Sequence, residues 1–435
     1  MKRITTILLL TTALSAHGQS ALTLQQCMQY AVEHNHEVKR VALELDNYEA
    51  NLTEAAVSFL PSVNASVSGQ YNFGRTIDQK TNVYNDVNTF NNSTSLNASM
   101  PLFDGFNRWH ALRAAKAGTL MGRLALRQQQ DQTALQVLQA VTNLLYYEGL
   151  VQMAAEKQKE TELLLRQTRL LTEVGRKSPT ELALVEAQLA EADYELTRQQ
   201  NLHASALLEL KKTMAYPMED SIALAVKVLP STEEASLSSL PDIAQHASVQ
   251  RAYYQMQASR QQWKQSRAGL YPTISLNAGL NTGYFKTLHV DVDPTFHAQY
   301  KNNLGKYVGA TLSIPLFNNL QQVSQVRRAR NNMQMAQEQY EQQQQELEKL
   351  SREAWQDWQG YRQQALQMQK KSEADSLAYS LTRRQFEEGL CTAIDLHTVR
   401  SQWLNSKAML LQCRLMVMVK QQLVRYYNGE TIWIE

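Results

Sequence analysis

Chain punctuation is scarce: 16 Gly and 9 Pro in 435 residues. These two residues mark most turns and helix ends, so their scarcity predicts long uninterrupted elements. No run of eighteen or more apolar residues occurs, which excludes a bundle of membrane-spanning helices. The three cysteines, Cys27, Cys391 and Cys413, are odd in number and too few to staple a chain of this length. Neither a disulfide framework nor a cysteine-rich metal site organises it. Lys and Arg number 43 against 41 Asp and Glu, without the basic surplus of a nucleic-acid binder. Glycine-rich phosphate loops, nucleophile elbows and HExxH sites are also missing. The sequence therefore predicts no catalysis and no cofactor, metal or nucleic-acid site.

What is present begins with Lys2-Arg3, an apolar stretch from Ile4 to Ala16, and the small-residue frame Ala16-His17-Gly18. That pattern predicts a secretory signal peptide over residues 1–18. Cys27 follows Leu24-Gln25-Gln26 rather than the cleavage site, so no lipid anchor is expected there.

The chain repeats itself. Residues 59–74 (FLPSVNASVSGQYNFG) resemble 270–285 (LYPTISLNAGLNTGYF), and Leu96–Phe103 resembles Thr311–Phe317. Pro101 precedes Gly175 by 74 residues, and Pro315 precedes Gly389 by the same 74. Self-similarity at a fixed spacing marks a tandem duplication, here with a first repeat over 19–215, a linker over 216–241 and a second repeat over 242–435.

Each repeat holds two stretches of period-2 alternation, the mark of strands with unlike faces. Val63, Ala65 and Val67 alternate with Asn64, Ser66 and Ser68, and Ile274, Leu276 and Ala278 alternate with Ser275 and Asn277. Strands are predicted at 62–74, 93–103, 273–285 and 307–317, close to the ~9–11 residues that cross a bilayer as tilted strand. Long polar hairpin loops suit the outer side of a membrane barrel; a soluble β-sandwich is the alternative.

The remainder reads as helix: 23–57, 104–173, 178–213, 242–269, 318–388 and 392–428. The 104–173 and 318–388 stretches contain no proline and are rich in good helix formers; at 1.5 Å per residue each makes a rod of roughly 105 Å. Beyond Gly175 and Gly389, expected helix C-caps, heptad seams return: Leu182, Val185, Leu189, Ala192 in one repeat and Leu396, Val399, Trp403, Ser406 in the other. Their 3,4 spacing is that of coiled-coil hairpins. Four strands cannot close a membrane barrel, and open edges are not tolerated in lipid. Oligomerisation follows, three copies giving twelve strands.

With Leu22-Thr23-Leu24-Gln25-Gln26-Cys27 near the start, Pro101-Leu102-Phe103 and Pro315-Leu316-Phe317 ending strands, and Phe386, Gly389 and Asp395 around the second turn, the chain resembles the TolC-like outer-membrane efflux proteins. The resemblance implies a mainly α fold with a membrane β-barrel: a homotrimer in the outer membrane of a Gram-negative bacterium, with a 12-stranded barrel and an α-helical periplasmic tunnel. It implies a passive exit duct in outer-membrane lipid, served by an inner-membrane pump and joined to it by a periplasmic adaptor (membrane fusion protein). Protein secretion and metal efflux share this architecture, and a porin without a pump is the more distant alternative. By the same resemblance the hairpin tips at Gly175, Arg176, Gly389 and Leu390 dock the adaptor, and Asp395, with Glu181 at the equivalent place, lines a periplasmic gate. Two positions depart from the family pattern: Thr398 stands where a second gate acid is usual, and Cys391 where Arg is common.

Overall fold

The computed structural model describes residues 21–77, 82–86, 88–225, 245–288 and 294–433. The expected signal peptide, and the expected linker beyond residue 225, lie outside the described residues. In chain order the elements are α1 (Leu24–His34), α2 (His36–Val57), β1 (Ser62–Asn72), β2 (Arg75–Ile77), β3 (Tyr84–Asp86), β4 (Thr89–Phe103), α3 (Asn107–Glu173) and α4 (Pro179–Met214). Then follow α5 (Ala247–Ser266), β5 (Thr273–Thr287), α6 (Phe296–Asn302), β6 (Gly305–Ser313), α7 (Gln321–Glu387) and α8 (Ala393–Tyr427). Both rods, α3 and α7, are 67 residues long, about 100 Å by helical rise. The chain packs as two compact units, and each draws on both sequence repeats. One holds the residues up to Ala42, Leu126–Ala247 and Gln345–Glu435; the other holds Leu43–Ala125 and Ser248–Gln344.

The first unit is helical. Thr23 opens α1 with a capping box: its hydroxyl accepts from the Gln26 N–H (3.2 Å), and the Gln26 side chain accepts from the Thr23 N–H (2.9 Å). Where the sequence pattern predicts one helix over 23–57, the structure has two. Asn35 takes an extended conformation (φ −60°, ψ 134°). Its side-chain amide donates to the Thr213 carbonyl at 2.9 Å, and its side-chain oxygen accepts from the Glu37 N–H at 2.8 Å. These bonds offset the broken helix ladder by giving orphaned backbone groups other partners. Cys27, Met28 and Ala31 pack against Val137, Leu138 and Val141 of α3 and Leu210 and Met214 of α4. The C-terminal residues close over this core: Ile432 is buried, and the Trp433 indole N–H donates to Asp131 at 2.9 Å. Of the tryptophan pair on α7, Trp358 is buried among Ala354, Ala365 and Val417 while Trp355 is exposed; Cys413 lies half-buried beside that cluster.

The second unit carries a four-stranded antiparallel sheet in the order β1-β4-β5-β6. The central β4–β5 pair joins the two repeats over the register Thr89↔Thr287 to Phe103↔Ile274. Alternation gives the sheet two unlike faces. Val63, Val67, Leu96, Ala98, Ala278, Leu280 and Val308 share one by register, and Ser66, Ser95, Asn97, Asn277 and Thr311 share the other. Much of the apolar face is uncovered: Val67 is 72% and Val308 77% exposed. Polar side chains bond across the opposite face, as in Ser66 to Ser95 (2.8 Å) and Ser99 to Asn277 (2.9 Å). Among the described residues β1 and β6 each have one unpaired edge. Among the described residues, no helix is long and apolar enough to cross a membrane.

Candidate docking tips and gate

Two helical turns, α3 to α4 and α7 to α8, are built alike. Gly175 (φ 70°) and Gly389 (φ 79°) adopt the left-handed conformation that glycine reaches without penalty. Around each, a Schellman pair satisfies the last helical carbonyls: Arg176 N–H to Leu171 O (2.8 Å) with Gly175 N–H to Thr172 O (3.0 Å), and Leu390 N–H to Gln385 O (2.7 Å) with Gly389 N–H to Phe386 O (3.0 Å). A Cβ at either glycine would meet nothing within 4 Å, so the backbone and not crowding sets the demand for glycine. Val174 and Leu390 stand 69% and 73% exposed beside them, and Arg176 is exposed as well.

Each returning helix opens with a capping box, Ser178 with Glu181 and Thr392 with Asp395. The hydroxyls of Ser178 and Thr392 accept from the N–H three residues on, both at 3.2 Å, and the acids accept in return from the cap N–H groups at 3.2 and 3.0 Å. The Thr392 hydroxyl also donates to Asp395 at 2.6 Å. Hydrogen bonds to the charged form lower a carboxyl pKa. Glu181 sits below its ordinary value, chiefly through the Lys177 ammonium at 3.0 Å, and Asp395 does so chiefly through the Thr392 hydroxyl.

Lys177 ties the tips together. Its ammonium holds Glu181 and lies 4.6 Å from the centre of the Phe386 ring on α7. Beneath the turns, Leu164 and Val185 of the first hairpin pack against Tyr379, Phe386, Ala393 and Leu396 of the second. Cys391 sits against this cluster, its thiol pKa raised by burial and by the Asp395 carboxylate. The gate candidates, the glycines and both Schellman turns thus belong to one paired assembly. One layer up, Tyr379 donates to Glu160 at 2.9 Å and stacks on Trp403 at 5.1 Å; burial pushes its phenol to about 12. Arg400, 3% exposed, lies near Tyr379, Glu160 and Glu191, with Nε and Nη2 unpartnered.

Sequence reasoning found the glycines and the acids but missed the boxes that fix them, although the signal, Ser or Thr followed three residues later by an acid, is plain at both turns. Nothing local announced the Lys177 contact with Phe386, the Tyr379 bond to Glu160 or the burial of Arg400 near Glu160 and Glu191, each of which joins one hairpin to the other. Among the described residues no group of three or more His, Cys, Asp or Glu side chains could hold a metal.

Long paired helical hairpins, a two-faced sheet with open edges and matched tips define a channel of the TolC type. The chain belongs to the outer membrane efflux protein family, which it matches over residues 27–215 and 243–427, one stretch in each repeat. As a member it resides in the outer membrane and extends into the periplasm. It is 25% identical over 345 residues to outer membrane protein TolC of Salmonella enteritidis; the match spans 75% of this chain and 66% of that protein, just under two thirds of its length. Its fold is that of the Campylobacter jejuni CmeC outer membrane channel (TM-score 0.84, 17% identity, 93% of this chain and 85% of that one). It also matches CusC, whose structures concern transmembrane channel formation (TM-score 0.81, 17% identity, 95% and 93% coverage).

Proposed function

We propose that this protein is the exit duct of a tripartite export assembly. Three copies close their β1 and β6 edges into a twelve-stranded barrel, because an edge left open in lipid leaves backbone groups unsatisfied at several kcal/mol each. An inner-membrane pump supplies energy, and a periplasmic adaptor docks at the tips around Gly175, Arg176, Gly389 and Leu390. Asp395, with Glu181, lines the periplasmic gate.

The observation that carries this reading is the duplicated tip: two turns with identical Schellman bonding and capping boxes, each presenting an exposed apolar residue beside a positive-φ glycine. A porin needs neither tips nor 67-residue rods.

Gly389→Val tests it. A β-branched residue at φ 79° costs on the order of 1–2 kcal/mol locally, while the open space around Gly389 leaves the rest of the fold untouched. Export and cross-linking to the adaptor should fall while trimer yield in the outer membrane stays unchanged. Normal export with normal cross-linking would remove the tips from the docking surface.

A further inference from the structure

The end of the sheet that meets the helices adjoins a surface that channel formation does not use. There, within the second unit, α2, α3, α5 and α7 lie side by side. Tyr48 of α2 packs on Gly118 and Gly122 of α3, His110 of α3 bonds Gln261 of α5 at 3.1 Å, and Tyr253 of α5 meets Tyr340 of α7 edge-on with ring centres 5.8 Å apart. Three of these helices carry cations at spacings of three and four, which fall on one stripe of a helix. They are Arg113 and Lys116 on α3, Arg260 and Lys264 on α5 with Arg267 just past its end, and Arg327 and Arg330 on α7; all are exposed but the half-buried Lys264. Rotation by about 100° per residue, counted from the interhelical contacts, sets the three stripes on the same side of the layer. The Arg123–Glu49 ion pair, 3.1 Å, marks that side where α2 begins.

Acids are few on this side. α3 as far as Ala125, all of α5, and α7 as far as Gln337 contain no Asp or Glu. Asp104 is held by Arg108 at 2.9 Å and Glu49 by Arg123. By rotation from Tyr48, Glu44 and Glu54 of α2 fall on the opposite side of the layer and Asp46 on the margin away from α3. Glu338 and Glu341 come about 25–30 Å of helical rise down α7. Glu233, Glu234 and Asp242 precede the start of α5, its end farther from the sheet, and Asp78, Asp86, Asp291 and Asp293 belong to segments beyond the other end of the strands. The cations of the three stripes therefore have no carboxylate partner among the described residues.

Helix direction brings their charged heads toward one level. Side chains on a helix lean toward its N-terminus. α3 and α7 start at the sheet, so their cations, set about 9–14 Å along by helical rise, lean back toward it. α5 ends at the sheet, so Arg267, Lys264 and Arg260, spread over its last ~9 Å, lean away. Between these cations and the strands, Leu60, Leu102, Leu316 and Phe317 form an exposed apolar collar. The Arg113 and Arg267 guanidiniums lie 5.0 and 5.7 Å from the ring centres of Trp109 and Trp263. Apolar collar, tryptophan and then cation is the order in which a bilayer interface passes from hydrocarbon to headgroup, and a cell-wall polymer would have no use for the collar.

We infer that the stripes of Arg113, Lys116, Arg260, Lys264, Arg267 and Arg327 form a belt that binds anionic phospholipid headgroups in the periplasmic leaflet of the outer membrane. The inference rests on the membrane barrel proposed above, which puts the helix end of the sheet on the periplasmic side. Zwitterionic headgroups have no net charge to draw these cations, and anionic ones do.

The test is native mass spectrometry of the purified full-length trimer. The probes are phosphatidylglycerol, phosphatidylcholine, a soluble acidic peptidoglycan fragment and inorganic phosphate. Wild type should retain phosphatidylglycerol over phosphatidylcholine, and the preference should shrink as salt is raised. The combined change Arg113→Gln, Lys116→Gln, Arg260→Gln, Lys264→Gln should weaken apparent affinity for phosphatidylglycerol on the order of tenfold or more, and exchanging Arg for Lys and Lys for Arg at the same positions should restore it. The control set Lys39→Gln, Lys159→Gln, Lys370→Gln, Arg384→Gln removes as many exposed cations from the other unit and should leave retention unchanged. Equal retention of the two lipids, a preference indifferent to salt, equal retention by the belt variant, or an equal loss in the control set would each overturn the inference. So would tighter binding of the peptidoglycan fragment or of inorganic phosphate than of phosphatidylglycerol. Failure of wild type to form a trimer would instead sink the barrel reading, which the trimer mass reports separately.

Discussion

Ser178 and Thr392 set the two returning helices at their tips, and each is worth more than its size suggests. Ser178→Ala or Thr392→Ala should cost about 1 kcal/mol of local stability, seen as faster amide exchange confined to the first turn of α4 or α8. The acids in the same boxes give a pH dependence with a definite sign. Glu181 and Asp395 are held below their ordinary 4.5 and 3.8 by the Lys177 ammonium and the Thr392 hydroxyl, respectively. A carboxyl depressed in the folded state stabilises fully above its unfolded value, and loses that contribution as pH falls through the folded one. The tips should therefore keep their protection from neutral pH down to about pH 5, and loosen only below about pH 4. Glu181→Gln should flatten the response at the first tip; loosening between pH 5 and 7 would contradict the capping account. Far from the tips, Trp433→Phe removes the hydrogen bond to Asp131, a carboxyl whose pKa burial already raises. Leaving that acceptor unsatisfied should cost about 1–3 kcal/mol, read as a lowered melting midpoint.

At the scale of elements, the strands differ from the helices in what their surroundings tolerate. α3 and α7 are held by seams that include buried polar residues such as Gln188, Gln199 and Arg400, whereas the sheet leaves its apolar face uncovered around Val67 and Val308. Two substitutions on β6 separate its faces. Val308→Arg puts a guanidinium on the apolar face, where a cation near the bilayer midplane costs about 2–4 kcal/mol; Thr311→Arg puts it on the polar face. Outer-membrane assembly, scored as heat-resistant trimer, should fall for Val308→Arg and persist for Thr311→Arg. The opposite ranking would mean that the polar face meets lipid.

For the whole molecule, the proposed trimer sets three copies of Asp395 around one axis. The capping bonds keep that carboxyl ionised, and ionised groups crowded in a narrow bore draw cations. In the proposed gate Thr398 adds no charge to the ring, and its hydroxyl donates to the Ile394 carbonyl at 2.9 Å on its own helix. In planar bilayers the protein should conduct through a narrow, mostly closed, cation-preferring channel. Asp395→Asn should lower cation preference and blunt block by multivalent cations added on the periplasmic side. Unchanged selectivity and block, both there and in the double change with Glu181→Gln, would reduce both acids to helix caps.

The sequence by itself determined whatever is periodic or local. Val63 to Val67 and Ile274 to Ala278 alternate because successive strand residues face opposite sides. The rods run unbroken because no proline interrupts them, and Gly175 and Gly389 end them because glycine pays least for a positive φ. The equal spacings from Pro101 and Pro315 to those glycines fixed hairpins of equal length. Tertiary structure decided what depends on partners far along the chain. Asn35 breaks the first helix because the Thr213 carbonyl, 178 residues away, accepts its amide. Tyr379 meets Glu160 across 219 residues, and Arg400 is buried between hairpins that the heptad pattern treats separately. The helix α6 exists on a stretch that reads only as a polar loop, because β5 outruns β6 and leaves an edge whose backbone groups need partners. Periodicity reports which face a residue occupies on its own element; it carries no information about which distant element will arrive to satisfy that face.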